Sequence, residues 1–183
     1  MKKISNDKTW SLLVASPSLY DGIFEETVVL VLDDSIEGTI GVIINLPENR
    51  TLGEISPDFE NSPLGKLPIF DGGPVGRERL SFSVWRPEPD GFGGHFDFGL
   101  PPDKVEKFLK QYPTAKGGVF LGCTGWAPNQ LQKEIDEGFW ICASADISLA
   151  FELSPNELWR ELLFRECPEF LELPEPQSDP AFN

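Results

Sequence analysis

The chain has 183 residues, 40% of them hydrophobic and 25% charged, which suits one globular domain with a sizeable core. Its formal net charge is −15, and such a surface repels nucleic-acid phosphates, whose binding needs Lys and Arg to displace counterions. No apolar stretch approaches the roughly 20 residues that span a membrane, so neither direct nucleic-acid contact nor membrane insertion is expected.

The basic start, Met1 to Asp7, is not followed by an apolar segment of signal-peptide type, so the cytoplasm is the expected location. Three cysteines, Cys123, Cys142 and Cys167, form no C-x-x-C pair, and His95 is the one histidine. Reduced thiols are expected, with no metal site and no cofactor.

In chain order, residues 1–9 are polar and predict a flexible N-terminus. Residues 10–171 carry the domain. Trp10 to Ser16 is an apolar run ended by Pro17, which predicts a strand, and Ser18 to Gly22 a turn. Thr27 to Leu32 is apolar throughout and reads as a strand covered on both faces, closed by Asp33-Asp34-Ser35. Gly38 to Asn45 reads as its hairpin partner. Residues 48–66 predict a long loop, or a short helix around Leu52. Gly72-Gly73-Pro74-Val75-Gly76 is a turn, Leu80 to Trp85 alternates as a strand should, and Arg86 to Gly94 is a Pro/Gly-rich loop. Phe96 to Phe98 predicts a short edge strand.

Val105, Phe108 and Leu109 share a helical face over Asp103–Gln111. Gly117 to Gly122 predicts a strand. Pro128 then fits the first turn of a helix whose inner stripe is Leu131 and Ile135 and whose end is Gly138. Phe139 to Ala143 predicts another strand. Ser154-Pro155-Asn156-Glu157 is a capping box that opens a last helix with Leu158, Trp159, Leu162 and Leu163 inward. Residues 172–183 hold three prolines and no apolar periodicity, which predicts a disordered acidic tail. Strands come first and helices mix in later. The expected class is α+β: one domain, with a mixed, largely antiparallel sheet flanked by three to four helices.

The segment Gly122-Cys-Thr-Gly-Trp126-Ala-Pro-Asn-Gln130-Leu131 is the first candidate site. A thiol at a strand end, just before a helix, would have its thiolate favoured by the helix N-terminus, making Cys123 a candidate nucleophile. The plainer alternative is a small buried hydrophobe. A nucleophile also needs a base, and nothing in the sequence places His95, in the Gly93-Gly94-His95 loop, beside it. Gly125, Trp126 and Gln130 can form a ligand wall, the indole stacking and the amide fixing orientation; the alternative is backbone geometry and core packing. Gly72, Gly73 and Pro74, followed by Arg77 and Arg79, can cradle an anion or simply turn the chain. Asn45 can point its amide into a pocket or close a strand against Pro47. Asp33, Asp34 and Glu37 can pair as acid/base groups or hold a cation, against the plainer reading of a solvated hairpin end. Trp159, on the amphipathic last helix, can anchor a partner or pack in the core.

Several stretches together resemble the YqgE/AlgH family of bacterial proteins. They are Leu12 to Pro17 with Asp21 and Phe24, Gly38 to Pro47, Gly72 to Val75, and Gly125 to Leu131 with Glu134, Ile135 and Trp140. The match runs over about residues 10–165. The resemblance implies a single-domain cytoplasmic protein with a mixed sheet partly curled into a barrel. The AlgH name carries a transcriptional-regulator label and no agreed molecular activity. Members often place a histidine after the second strand, where this chain has Asp33-Asp34, so a role resting on that histidine does not transfer.

The expected function is binding or regulatory, through a small ligand or a protein partner at one pocket joining the Gly72–Val75, Asn45 and Gly125–Gln130 segments. The alternatives are an enzyme using Cys123 and a transcriptional regulator.

Overall fold

The structure is a computed structural model that describes residues 11–88, 94–144 and 147–172. The elements in order are β1 (Ser11–Ala15), β2 (Val28–Ser35), β3 (Gly38–Ile43), β4 (Pro47–Thr51), α1 (Leu52–Ile55), β5 (Pro68–Asp71), β6 (Val75–Pro87) and β7 (Gly94–Leu100). They continue as α2 (Pro102–Gln111), β8 (Lys116–Trp126), α3 (Gln130–Asp136), β9 (Trp140–Ser144), α4 (Leu149–Glu152) and α5 (Pro155–Glu166). This is an α+β domain with one curled, half-barrel mixed sheet and, among the described residues, five α-helices, two of them single turns.

β8 is the spine of the sheet. Along its first half, β6 pairs antiparallel on one side and β5 parallel on the other, the latter aligning Ile69 with Val119 and Asp71 with Leu121. Along its last residues β3 takes over, aligning Ile40 with Gly125. The order then runs β3, β2, β1, β9, all antiparallel. The hand-over from β5 to β3 happens at Gly72. Its N–H donates to the Leu121 carbonyl (2.8 Å) and its carbonyl accepts from the Ile43 N–H (3.0 Å). A Cβ on Gly72 would lie 2.5 Å from the Gly122 carbonyl oxygen, and one on Gly73 2.5 Å from that of Cys123. Gly73 also has φ +136°, a region that side chains disfavour. The glycine pair is therefore what lets three strands meet.

Three apolar clusters fill the fold. One lies under α5 and includes Leu12, Leu30, Val42, Phe120 and Trp159. The second lies under α3 and includes Leu13, Val29, Ile43, Trp126, Leu131 and Trp140. The third lies under α1 and α2 and includes Leu52, Ile69, Val84, Val105 and Val119. The odd residues of β1 and β2 serve the second cluster and the even ones the first, so both faces are covered, as their unbroken apolar runs require. α5 starts at its capping box, where the Ser154 N–H donates to Glu157 Oε2 (2.9 Å). It buries Leu158, Trp159, Leu162 and Leu163, and the Trp159 indole N–H donates to the Ala15 carbonyl (2.8 Å). Trp159 is a core residue.

Several expectations are corrected. β2 does not close at Asp33; it runs to Ser35 past an irregularity between Val31 and Asp33, so the acidic residues are in the strand. The 48–66 segment holds β4, α1 and two 3-10 turns, at Pro57–Phe59 and Pro63–Lys66. His95 sits in β7 opposite Arg86, not in a loop. β8 continues through the Gly122–Gly125 segment to Trp126, with an irregularity at Gly122 (φ +69°), and α3 begins only at Gln130, after Pro128 rather than around it. The four-residue α4 was not foreseen. Residues 1–10, 89–93, 145–146 and 173–183, including the expected flexible ends and Trp10, lie outside the described residues.

Candidate functional site

The site is built around α3. β8 delivers Trp126 to the second cluster, where it is 7% exposed. The turn that follows places Asn129 at φ +64°, and the Gln130 side-chain oxygen accepts from the Ala127 N–H (3.0 Å), fixing the start of the helix. One turn on, at i+4, stands Glu134. Its Oε2 accepts from both the Trp126 indole N–H (2.8 Å) and the Trp140 indole N–H (2.9 Å). Its Oε1 accepts from the Gln130 amide (2.8 Å). The two indoles meet edge to face at 5.8 Å, and Phe24 meets Trp140 edge to face at 5.6 Å. A carboxylate is thus held by three neutral donors, in ion pair with no Lys or Arg among the described residues.

A loop from β1 to β2 closes the other side. The Asp21 Oδ1 accepts from the N–H groups of Ile23 (3.0 Å) and Phe24 (2.7 Å), which sets the loop. Between loop and helix lies a cavity of 490 Å³ lined by Leu19, Asp21, Phe24, Gly125, Trp126, Gln130, Lys133, Glu134, Glu137, Phe139 and Trp140. Lys133 stands 3.6 Å from Glu137. The volume falls in the range of small-molecule sites.

The expected pocket was wider than this. Gly125, Trp126 and Gln130 line the cavity, whereas Gly72, Gly73, Pro74 and Asn45 do not. The Asn45 amide is committed to backbone: Oδ1 accepts from Val28 N–H (2.7 Å), and Nδ2 donates to the carbonyls of Glu26 (2.9 Å) and Pro155 (3.2 Å). It ties β2, β3 and α5 together. The Gly73 N–H donates to Asp71 Oδ1 (3.1 Å), while Arg77 pairs with Asp71 Oδ2 and with Glu48 Oε1 (3.1 Å). That hydrogen bond to Asp71 raises the Arg77 pKa further above its ordinary value. Of the groups proposed to cradle an anion, the Gly73 N–H and Arg77 are already on carboxylates, and the Gly72 N–H is on the Leu121 carbonyl.

Cys123 is half-buried inside β8, opposite Val75, and seven residues from the start of α3. No helix N-terminus acts on it. Trp85 is opposite Lys116, and His95 is opposite the next residue of β6, so His95 stands at the far end of β8. Seven residues at about 3.3 Å each put it roughly 20 Å from Cys123. There His95 Nε2 faces Glu88 Oε1 at 2.8 Å. At Cys167, burial raises the thiol pKa, and the nearby Glu169 and Glu166 add to this. Asp33, Asp34 and Glu37 are exposed, and Asp34 Oδ1 accepts from the Thr39 hydroxyl (2.6 Å). Among the described residues no group of three or more His, Cys, Asp or Glu is placed to hold a metal ion, and no helix is long and apolar enough to cross a membrane.

Of the stretches that carried the family resemblance, Asp21, Phe24, Gly125, Trp126, Gln130, Glu134 and Trp140 line this cavity, whereas Leu12 to Pro17, Gly38 to Pro47 and Gly72 to Val75 do not. Comparison with known proteins supports the family itself. The AlgH-like family model matches residues 12–168. The chain belongs to this family. A UPF0301 protein of Thermobifida fusca is 34% identical over 96% of this chain and 95% of its own length. A UPF0301 protein of Streptomyces avermitilis is 32% identical over the same shares. Among solved structures, the solution structure of the AlgH protein from Pseudomonas aeruginosa has a TM-score of 0.65 at 22% identity, covering 97% of this chain and all of that one. A crystal structure of a protein from Corynebacterium diphtheriae has a TM-score of 0.67 at 21% identity, covering 90% of each chain. These two likenesses establish the shared fold.

Sequence reasoning missed Glu134 as the shared acceptor of Trp126, Gln130 and Trp140. The signal was there: Gln130 and Glu134 at i,i+4, with a tryptophan before and after the helix.

Proposed function

We propose that this protein is a binding protein of regulatory type, working in the cytoplasm through the cavity beside α3. Its ligand class is a cationic group: a small amine or guanidine, or such a side chain presented by a protein partner. The observation that carries the reading is the anchored, uncompensated carboxylate of Glu134 in an aromatic wall. Holding a charge with three neutral donors orients it without neutralising it.

The rest of the wall supports the same class. Asp21 and Glu137 add two more carboxylates against the one ammonium of Lys133. Phe24 and Phe139, both half-buried, offer ring surface that attracts cations. A net charge of −15 steers cations toward the molecule. Cys123, Cys142 and Cys167 form no disulfide with one another, which suits a reducing compartment.

Neither alternative finds equal support. An enzyme using Cys123 needs a base, and His95 is at the other end of β8. A regulator contacting DNA directly would meet repulsion from its own surface; regulation through a ligand or partner does not.

Calorimetric titration with n-butylguanidinium tests the proposal, with n-butanol and butyrate as neutral and anionic controls. Saturable binding of the cation, weakened in Glu137→Ala, is the expected result. Equal heats from all three probes, or none from the cation, would overturn it.

A further inference from the structure

A second cavity, of 220 Å³, lies on the other side of the sheet and has the opposite chemistry. Its walls are Ile44, Phe70, Phe96, Phe120, Ile147 and Phe151. Protein cores normally close such space by interdigitating side chains. Here the chain keeps it open. β8 contributes Gly117 and Gly118 to the lining, and a Cβ on Gly118 would reach within 3.1 Å of the Phe70 ring. The rings around it hold one another: Phe70 stacks on Phe120 at 5.1 Å and Phe151 on Trp85 at 5.1 Å.

The polar groups at this cavity are few. Ser83 donates its hydroxyl to the Gly118 carbonyl (3.2 Å) and keeps acceptor capacity. Among the described residues Lys116 is the one charged residue in the lining, in a chain with 30 Asp and Glu against 15 Lys and Arg. Its ammonium donates to the Phe151 carbonyl at 2.7 Å, and it pairs with no carboxylate among the described residues. An ammonium has three N–H donors, so two remain.

We infer that this cavity is a site for a small monocarboxylate with a single aromatic ring or a short branched aliphatic body. The apolar part fills the space between Phe120 and Phe151, and the carboxylate meets Lys116 at the mouth. The size fits: an apolar cavity of about 150 Å³ accepts benzene, and the remaining volume takes a carboxyl group. The inference is independent of the cation site beside α3, since the two cavities share no residue.

The test uses benzoate and phenylacetate as probes and toluene as the neutral control, followed by ligand-observed NMR on the whole chain. Benzoate is expected to bind with transferred contacts to the rings of Phe120 and Phe151. Lys116→Met should weaken benzoate about tenfold and leave toluene unchanged. Ala150→Leu, which puts a side chain into the cavity from α4, should abolish both. Should that variant fail to fold, the contacts in the wild-type chain decide alone. Absence of benzoate and toluene binding near their solubility limits would overturn the inference. So would benzoate binding that is indifferent to Lys116→Met, or contacts that map to other rings.

Discussion

One glycine pair lies beside β8 and one glycine lies within it, and they are glycine for opposite reasons. At Gly72-Gly73 a side chain has no room: three strands change partners there, and Cβ atoms would strike the carbonyls of Gly122 and Cys123. At Gly125 a Cβ would meet nothing within 4 Å, and φ is not positive. The first segment holds the sheet together. The second leaves β8 bare beside the Trp126–Glu134 site, where the fold makes no demand on it. Glycine in a sequence motif therefore reports a constraint only once its surroundings are known.

The sharpest way to break this comparison is substitution at both places. Gly73→Ala should cost about 3 kcal/mol or more, or prevent folding, because φ +136° and the Cys123 backbone both oppose it. Gly125→Ala should leave stability within about 0.5 kcal/mol. Thermal unfolding of the two variants side by side measures the contrast.

Asn45→Ala comes next in size. It orphans the Val28 N–H and frees the carbonyls of Glu26 and Pro155. A loss of about 2–3 kcal/mol in urea unfolding is expected. An unchanged midpoint would mean that the amide is not the tie between β2, β3 and α5. Glu134→Ala should cost about 1–2 kcal/mol, since two indole N–H groups lose their acceptor. Glu134→Gln should cost less, because the amide oxygen can still accept one of them. Unfolding curves of the pair separate the hydrogen bonds from the charge.

The smallest effect is on the acid side. Glu54 is held below its ordinary pKa of 4.5 first by the Thr51 backbone N–H, and Glu157 first by the Ser154 hydroxyl. A lowered folded-state pKa means that the unfolded chain takes the proton first. The stabilisation is complete above the ordinary value and is lost as pH falls through the lowered one. The double variant Glu54→Gln, Glu157→Gln should therefore lose stability less steeply below about pH 4.5.

Much of the fold was legible because local signals agreed with tertiary ones. The β2–β3 hairpin announced itself by two apolar runs across a short turn. α5 announced itself by Ser154-Pro155-Asn156-Glu157. The β4 and α4 segments were not legible, because Pro47–Thr51 has no apolar alternation and Leu149–Glu152 is one turn long. Their conformations are set by what they pack on. The extension of β8 through Gly122–Gly125 was hidden for a related reason. Its strand character comes from its partners, Val75 of β6 beside Cys123 and β3 beside Thr124 and Gly125.

The site was half legible. Trp126 and Gln130 were visible as unusual residues in an unusual place. Glu134 entered only as part of a resemblance: the i,i+4 spacing from Gln130 puts the two on one helix face, but it does not show that two indoles 14 residues apart turn toward one carboxylate. Asn45 and the Gly72–Pro74 turn looked equally chemical in sequence. Only their backbone partners show that they serve the sheet.

The most direct test of the central claim watches the Nε1–H resonances of Trp126 and Trp140 by NMR while n-butylguanidinium is added. A cation taken up beside Glu134 should move both signals together and saturably, with n-butanol and butyrate moving neither. Cation binding that leaves both indole signals unmoved would contradict the account.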